Sequence, residues 1–335
     1  MIEAPPLPSY VQIEPVGQCN LRCQMCPIQF RQDGPPHGAP AFMPFATYTR
    51  LIDELPSLRR LHLQGLGEPM MHPRFFEMVR YGAARGIEVT TNSNLTLLNE
   101  RRADECVASG LAELHVSVDG ATAATYERIR VRGHFDRVLR NLTLLEEAKR
   151  RAGAAGPALQ IVMVLMRQNL DELPALVRLA ASWGAQALFV QHLCHDFAES
   201  SLPERYRPMR EFVDAQTLLG EDASRIERVF AEARRAADAC GMQLRLPRTT
   251  PRAFGDVAML GSCDWPSTGM YFSYDGRAMP CCMVATPDRA NFGAIEGRTV
   301  TDVWESDGYR EFRRALATEA PPEICRGCAV YNGVF

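Results

Sequence analysis

Cys19, Cys23 and Cys26 fall in one short stretch, Glu14-Pro-Val-Gly-Gln-Cys-Asn-Leu-Arg-Cys-Gln-Met-Cys-Pro27, with the spacing C-x3-C-x2-C. Three thiolates this close on a loop converge on one soft metal centre. They hold three irons of a four-iron cluster and leave the fourth open to chelate a small molecule and pass it an electron. A zinc site or three structural thiols is the plainer alternative. A second set, Cys263, Cys281, Cys325 and Cys328, is spaced C-x17-C-x43-C-x2-C near the other end. Four thiolates close a metal site completely, as in a structural zinc site or a fully ligated cluster.

Other polar residues stand where strands are expected to end. Gly65-Leu-Gly-Glu-Pro69 follows an alternating run; glycine lets backbone approach a ligand closely, and the Glu68 carboxylate can accept from an ammonium group. A tight turn reads equally well there. Asn92 and Asn94, then Ser117 and Asp119, follow the next two strands, where turn and capping roles are the ordinary alternative. Tyr126-Glu-Arg-Ile-Arg-Val-Arg-Gly133 carries Arg128, Arg130 and Arg132; a guanidinium fork suits a carboxylate, and a solvated helical face is the competing reading. Gln191 and His192 follow the sixth strand and could line a substrate pocket, with a local hydrogen bond the ordinary alternative for the histidine. Of the remaining cysteines, Cys106 falls on an apolar helix face, Cys240 gives no signal, Cys194 follows the sixth strand, and Cys282 is adjacent to Cys281.

The elements that position these groups are legible from periodicity. Strands are expected at Tyr10 to Val16, Leu58 to Gln64, Ile87 to Thr91, Glu113 to Val118, Leu159 to Met166 and Ala187 to Val190, alternating with helical segments. Six such units imply an α/β fold with a parallel sheet and right-handed crossovers, open or curved into a barrel. Residues 195 to 256 break the pattern, with one clear helix at Ala223 to Ala239, and read as an insertion folding over the site. Beyond Leu260, Met270 to Met279 reads as a hairpin turning at Asp275-Gly276, and Val300 to Leu316 as one helix. The division is 1–195, 196–258 and 259–335.

Composition excludes several classes. A hydrophobic share of 46% and a charged share of 23% are those of a globular protein. A net charge of -3 argues against broad binding to nucleic acid or anionic membrane. No secretory signal or spanning segment is visible. Eleven cysteines in clustered pairs, without an export signal, favour metal ligation in a reducing cytoplasm over disulfides.

The cysteine trio with Gly65-Leu-Gly-Glu-Pro69 one strand later resembles the signature of the radical S-adenosylmethionine (SAM) enzymes, over about residues 10 to 192. The resemblance implies a partial (β/α)6 barrel. It implies a [4Fe–4S] cluster on Cys19, Cys23 and Cys26 whose open iron binds SAM, and an electron donor such as flavodoxin or ferredoxin. Reductive cleavage then yields a 5′-deoxyadenosyl radical that abstracts hydrogen from carbon. Gly67 and Glu68 match the family's contacts to the SAM amino group. Asn92, Asn94, Ser117 and Asp119 are implied at the ribose or methionyl carboxylate, and Arg130 is the choice among the arginines. Met25 stands where the family usually has an aromatic residue, against adenine.

The C-terminal cysteines resemble the auxiliary-cluster modules called SPASM and, shortened, twitch, a small α+β domain. Five cysteines after residue 260, against seven for two full clusters, imply one auxiliary [4Fe–4S] cluster on Cys263, Cys281, Cys325 and Cys328. The ligand spacing is similar to that of the twitch-bearing aminocyclitol enzyme, so the leading expectation is a small-molecule substrate attacked at a carbinol C–H of a sugar, aminocyclitol or nucleoside in antibiotic-type biosynthesis. Dehydrogenation, epimerisation with hydrogen from Cys282 or Cys194, and decarboxylation or dehydration stay open. The alternative is modification of a peptide. The chain opens directly on its first strand, with no room for an N-terminal peptide-binding module, which weighs against that alternative at this stage.

Overall fold

The computed structural model describes residues 5–31, 41–193, 197, 199–248 and 263–333. The strands are β1 (Tyr10–Ile13), β2 (Arg22–Cys23), β3 (Arg60–Leu63), β4 (Glu88–Ser93), β5 (Glu113–Ser117), β6 (Arg130–Val131), β7 (Ala158–Leu165), β8 (Ala187–His192), β9 (Gln243–Arg245), β10 (Gly269–Phe272) and β11 (Ala278–Met279). Nine of them form one sheet in the order β11-β10-β1-β3-β4-β5-β7-β8-β9, and β2 pairs with β6 apart from it. All neighbours in the large sheet are parallel except β10 and β11. Its two edges, β11 and β9, stay unpaired with each other among the described residues, so the barrel is partial.

Alternation along the strands decides which side faces the helices. Val11, Ile13, Leu61, Leu63, Val89, Leu114, Val116, Ile161, Met163 and Leu188 are fully buried in the main core. Each such side chain contributes about 1.5–3 kcal/mol by leaving water. They belong to the same core as the apolar faces of α1 (Phe45–Asp53), α2 (Phe75–Ala83), α3 (Glu100–Ala108), α5 (Phe135–Ala152) and α6 (Leu173–Ser182). The alternate positions, Gln12, His62, Gln64, Thr90, Asn92, His115, Ser117 and Gln191, give the other face a polar lining. Between β5 and α5 lies α4 (Ala123–Ile129).

Residues after β8 hold more regular structure than the sequence suggested. Besides α8 (Ala223–Cys240) there is α7 (Arg207–Gln216), whose Pro208 sits in the first turn, where proline is tolerated. The expected linker also supplies β9, parallel to β8. Phe197, Tyr206, Met209 and Val213 form a second apolar cluster with Leu21, Met25 and Ile129, and Cys19 and Cys26 pack against it. Side chains of this segment therefore pack on the cysteine loop.

The hairpin turns where predicted: Gly276 adopts φ 78, which its missing Cβ permits, and its N–H donates to Ser273 O at 2.8 Å. Its first strand, β10, is not separate. It pairs residue for residue with β1, from Tyr10 against Gly269 to Ile13 against Phe272. After α9 (Trp265–Thr268), the helix expected at Val300 to Leu316 is two, α10 (Val300–Trp304) and α11 (Asp307–Leu316), because Ser306 stops one and caps the other.

Candidate active site

The three thiols sit at the C-terminal ends of the parallel strands, where α/β folds bind ligands. A cavity of about 200 Å³ is bordered by Cys19, Cys23, Met25 and Cys26 from the loop, by Gln64 to Glu68, by Asn92, Ser93, Asn94 and Ser117, and by Arg130 and Gln191. Of the residues singled out from sequence, Gly67, Glu68, Asn92, Asn94, Ser117, Arg130 and Met25 are thus brought to one space. Asn92 Oδ1 is buried in this wall with no hydrogen-bond partner among the described residues, an acceptor that fits a ligand's donor.

Several of these residues also hold the loop. The Glu68 carboxylate accepts from Ser93 Oγ at 2.7 Å, the Asn94 N–H at 2.8 Å and the Met70 N–H at 3.2 Å. Burial raises its pKa, and these three donors oppose the shift. The Asn94 amide donates to Asn20 Oδ1 at 3.1 Å and lies 3.7 Å from Cys19 Sγ. Gly67 is needed for a close approach within the chain: a Cβ there would stand 2.0 Å from Val16 O and 2.6 Å from Gln18 O. That contact lets the Glu68 N–H donate to Gln18 O at 2.8 Å.

Asp119 is a correction. It does not border the cavity; it is fully buried behind it. Its carboxylate accepts from the Val164 N–H at 2.7 Å and pairs with Arg130 at 2.7 Å. Arg130 in turn lies 3.8 Å from Cys23 Sγ, so Asp119 sets the arginine that faces the thiol. His192 is also turned away from the cavity, onto Arg248 O. Cys106 is core, as its helix face implied. Cys194 lies outside the described residues.

A buried pair that sequence reading passed over ties the loop to the rest. Arg31, just past the cysteines, donates to both oxygens of Glu14 at 2.8 and 3.1 Å, and neither side chain is more than 1% exposed. Glu14 also accepts from the N–H of Leu66 at 2.9 Å and of Tyr274 at 3.3 Å. One carboxylate therefore joins the cysteine loop, the Gly-Leu-Gly-Glu segment and the C-terminal hairpin. The sequence signal was a charged residue at a strand end followed by an arginine beyond the trio.

Cys263, Cys281, Cys282, Cys325 and Cys328 gather at the C-terminal part, where Cys281 and Cys282 pack against the cluster of Tyr271, Met279 and Val284. Burial, then repulsion from neighbouring cysteines, pushes Cys282 up to about 12; burial is likewise the main cause at Cys263, pushed up to about 11. Cys26, in the first trio, is pushed up to about 12 by burial and by Cys23. Thiols in such surroundings ionise when a metal supplies the compensating charge. No three His, Cys, Asp or Glu among the described residues close on a single ion, and a donor set of thiols alone matches the larger iron–sulfur clusters. Cys282 stands among these thiols and does not border the cavity, so the structure does not bring it to the place where it was expected to donate hydrogen.

A partial parallel barrel with three thiols around a polar cavity at its strand ends, and a thiol-rich module joined to its edge, defines an iron–sulfur enzyme of the barrel class. Residues 13–180 match the family described as Radical SAM superfamily, and residues 263–329 match the SPASM iron-sulfur cluster-binding domain. The chain belongs to the radical SAM superfamily: it is an enzyme whose cofactors are SAM and iron–sulfur clusters. It is 28% identical over 337 residues to the PqqA peptide cyclase of Ruegeria pomeroyi, across 98% of this chain and 81% of that protein. It is 23% identical to the tungsten-containing aldehyde ferredoxin oxidoreductase cofactor-modifying protein of Pyrococcus furiosus, across 96% of this chain and 87% of that one. Its fold matches Streptococcus suis SuiB bound to precursor peptide SuiA with a TM-score of 0.69 at 14% identity, across 98% of this chain and 71% of the other. No described helix is long and apolar enough to cross a membrane.

Proposed function

We propose that this chain modifies a peptide, abstracting hydrogen from one of its carbons. The observation that carries the reading is the likeness to PqqA peptide cyclase across nearly the whole chain, cavity wall and C-terminal module included. In this reading Cys19, Cys23 and Cys26 hold the first [4Fe–4S] cluster, and Cys263, Cys281, Cys325 and Cys328 hold one auxiliary cluster, with Cys282 as a competing ligand. Bound SAM and the reduced first cluster supply a 5′-deoxyadenosyl radical.

The residues of the chain do the rest. Asn92 and Ser117 orient the cofactor through its polar edge. Arg130, held by Asp119, presents positive charge to the methionyl carboxylate. Glu68 accepts from the amino group with its remaining lone pairs, and Met25 packs against the adenine. Phe197 and the apolar face of α7 keep water from the cysteine loop, which protects a radical from side reactions.

The test is anaerobic incubation of the reconstituted enzyme with SAM and a reductant. One arm offers peptides of the PqqA and SuiA kind, the other sugars and aminocyclitols, with 5′-deoxyadenosine and substrate mass as readouts. A peptide losing two hydrogens, with one 5′-deoxyadenosine formed per event, is expected. Conversion of a carbinol to a ketone with no change in any peptide would replace this reading by the small-molecule one.

A further inference from the structure

We propose that Asn94 is a positioning residue for the first iron–sulfur cluster: its amide donates to the Cys19 sulfur and makes that cluster easier to reduce. The inference rests on the reading that Cys19, Cys23 and Cys26 hold that cluster. It separates Asn94 from Asn92, although both stand at the end of the same strand.

The first argument is what an amide can do. An asparagine side chain has two N–H donors and one oxygen with two lone pairs. Asn94 directly follows β4, and its backbone N–H donates to Glu68 Oε2 at 2.8 Å. Its Oδ1 accepts from the Thr96 N–H at 2.9 Å and from Thr96 Oγ1 at 2.7 Å. Its Nδ2 donates to Asn20 Oδ1 at 3.1 Å and faces Cys19 Sγ at 3.7 Å. A backbone N–H can only donate, so the amide oxygen belongs on Thr96 and the two hydrogens on Asn20 and the thiol. Every donor and acceptor of the side chain is then used within the chain. Asn94 borders the cavity, yet it has no polar capacity left for a bound molecule. Asn92 Oδ1, in the same wall, has no partner among the described residues.

The second argument is that the amide is held still. Asn20 Nδ2 donates to Thr96 Oγ1 at 2.8 Å. Asn20, Thr96 and Asn94 therefore close a ring of side-chain hydrogen bonds, each polarising the next. Asn20 is the neighbour of Cys19 in sequence, whereas Asn94 and Thr96 follow β4. The ring fixes the donor relative to the sulfur it faces.

The third argument is electronic. Cys19 Sγ also accepts from the Leu21 N–H at 3.4 Å. Burial pushes the Cys19 thiol up, Glu68 and Cys23 push it further, and the Leu21 N–H opposes them. A donor at a cluster sulfur offsets negative charge there. The reduced cluster carries one electron more than the oxidised one, so the donor stabilises the reduced state more and raises the potential. In that step the cluster gains one electron from a reductant, dithionite in the test below, and the hydrogen bond stays in place.

The experiment is an anaerobic redox titration of the reconstituted holoenzyme with dithionite. It follows the paramagnetic signal that changes when SAM is added, which marks the first cluster. Wild type is compared with Asn94→Leu, Asn94→Asp and Thr96→Val. At the solution potential where the wild-type cluster is half reduced, Asn94→Leu should show a reduced-to-oxidised ratio about fivefold lower, equivalent to about 40 mV. Asn94→Asp sets a carboxylate at the sulfur and should lower the ratio about tenfold or more. Thr96→Val loosens the amide without touching the thiol and should lower it about twofold. The Kd for SAM, by equilibrium dialysis, should stay within about threefold of wild type in Asn94→Leu. An unchanged ratio in Asn94→Leu and Asn94→Asp overturns the proposal. So does a Kd for SAM raised about tenfold or more at an unchanged ratio, which would make Asn94 a cofactor contact. So does loss of iron from both Asn94→Leu and Thr96→Val, which would make the ring a support of the loop. Where Asn94→Leu alone loses iron, a lowered ratio in Asn94→Asp and Thr96→Val supports the proposal and an unchanged one overturns it. A wild-type protein with no SAM-responsive signal would fail the reading of the trio instead, and is told apart before any variant is made.

Discussion

Glu14→Gln is the perturbation that tests how the cysteine loop is held. The carboxylate receives two Arg31 N–H groups and two backbone N–H groups, with both side chains out of solvent. The amide keeps one acceptor oxygen but turns a donor toward a donor, and leaves a guanidinium charge buried without its counter-charge. Breaking one side of a buried pair costs about 3–5 kcal/mol, a large share of the 5–15 kcal/mol typical of a folded protein. With a urea slope of about 3 kcal/mol per M, the unfolding midpoint should fall by about 1–1.7 M. The assay is urea unfolding of the metal-free protein, followed by circular dichroism, beside iron content after reconstitution. The double variant Glu14→Gln, Arg31→Met removes both charges, keeps an acceptor for the backbone N–H groups and should recover most of the lost midpoint, since replacing a buried pair by uncharged groups is often near neutral. A single variant within about 0.3 M of wild type, or a double variant no better than the single, would refute the claim that this pair is the brace.

Gly67→Ala would drive a methyl into Val16 O and Gln18 O. Equilibrium dialysis should show weakened SAM binding, with destabilisation of about 1–3 kcal/mol or more. The variant lacking Cys19, Cys23 and Cys26 should keep close to four irons per chain if one auxiliary cluster sits on the C-terminal thiols, by iron and sulfide analysis after reconstitution; no retained iron would remove that cluster. His62, pushed down to about 3 by burial and then by His115, is neutral in the folded protein. Its contribution to stability is complete above the unfolded value near 6.5 and is lost as pH falls toward 3, a loss of at most about 2 kcal/mol by pH 5. His62→Gln should flatten the fall in urea midpoint between pH 6.5 and 5. Asp119→Asn should raise the Kd for SAM, because Arg130 loses the partner that aims it.

The parts of this design that depend on residue type and short spacing could be read directly. Thiols at C-x3-C-x2-C with Gly65-Leu-Gly-Glu-Pro69 one strand later announce the family, alternation announces strands, and Asp275-Gly276 announces a turn. Contacts that join distant stretches left no such mark. Nothing in Met270 to Phe272 says that it will lie against β1, and Glu14 looks like any charged residue at a strand end until Arg31 and Tyr274 close over it. Asp119 was misplaced for a related reason. Its position at a strand end is readable, but the direction in which a side chain turns there depends on Arg130 arriving from another element. The insertion was underread because residues 195 to 256 interrupt the strand–helix alternation, which hides a short element such as α7. Substrate class was least legible, since cysteine spacing describes the module around the auxiliary thiols and says little about what enters the cavity.

The pairing of β10 with β1 has a consequence for biosynthesis. Glu14 and Tyr274 are 260 residues apart in sequence, so the loop between them closes late and at an entropic cost. As the chain leaves the ribosome, the six strands of the large sheet between β1 and β8 can assemble while the outer edge of β1 is still bare. The cysteine loop at that stage lacks its contact to Tyr274. Iron that reaches Cys19, Cys23 and Cys26 before the last quarter of the chain has been made meets a loosely held loop; iron that arrives afterward meets one fastened from both sides. On the proposed ligand set, slowing translation between residues 200 and 260 should change how much iron the finished protein carries.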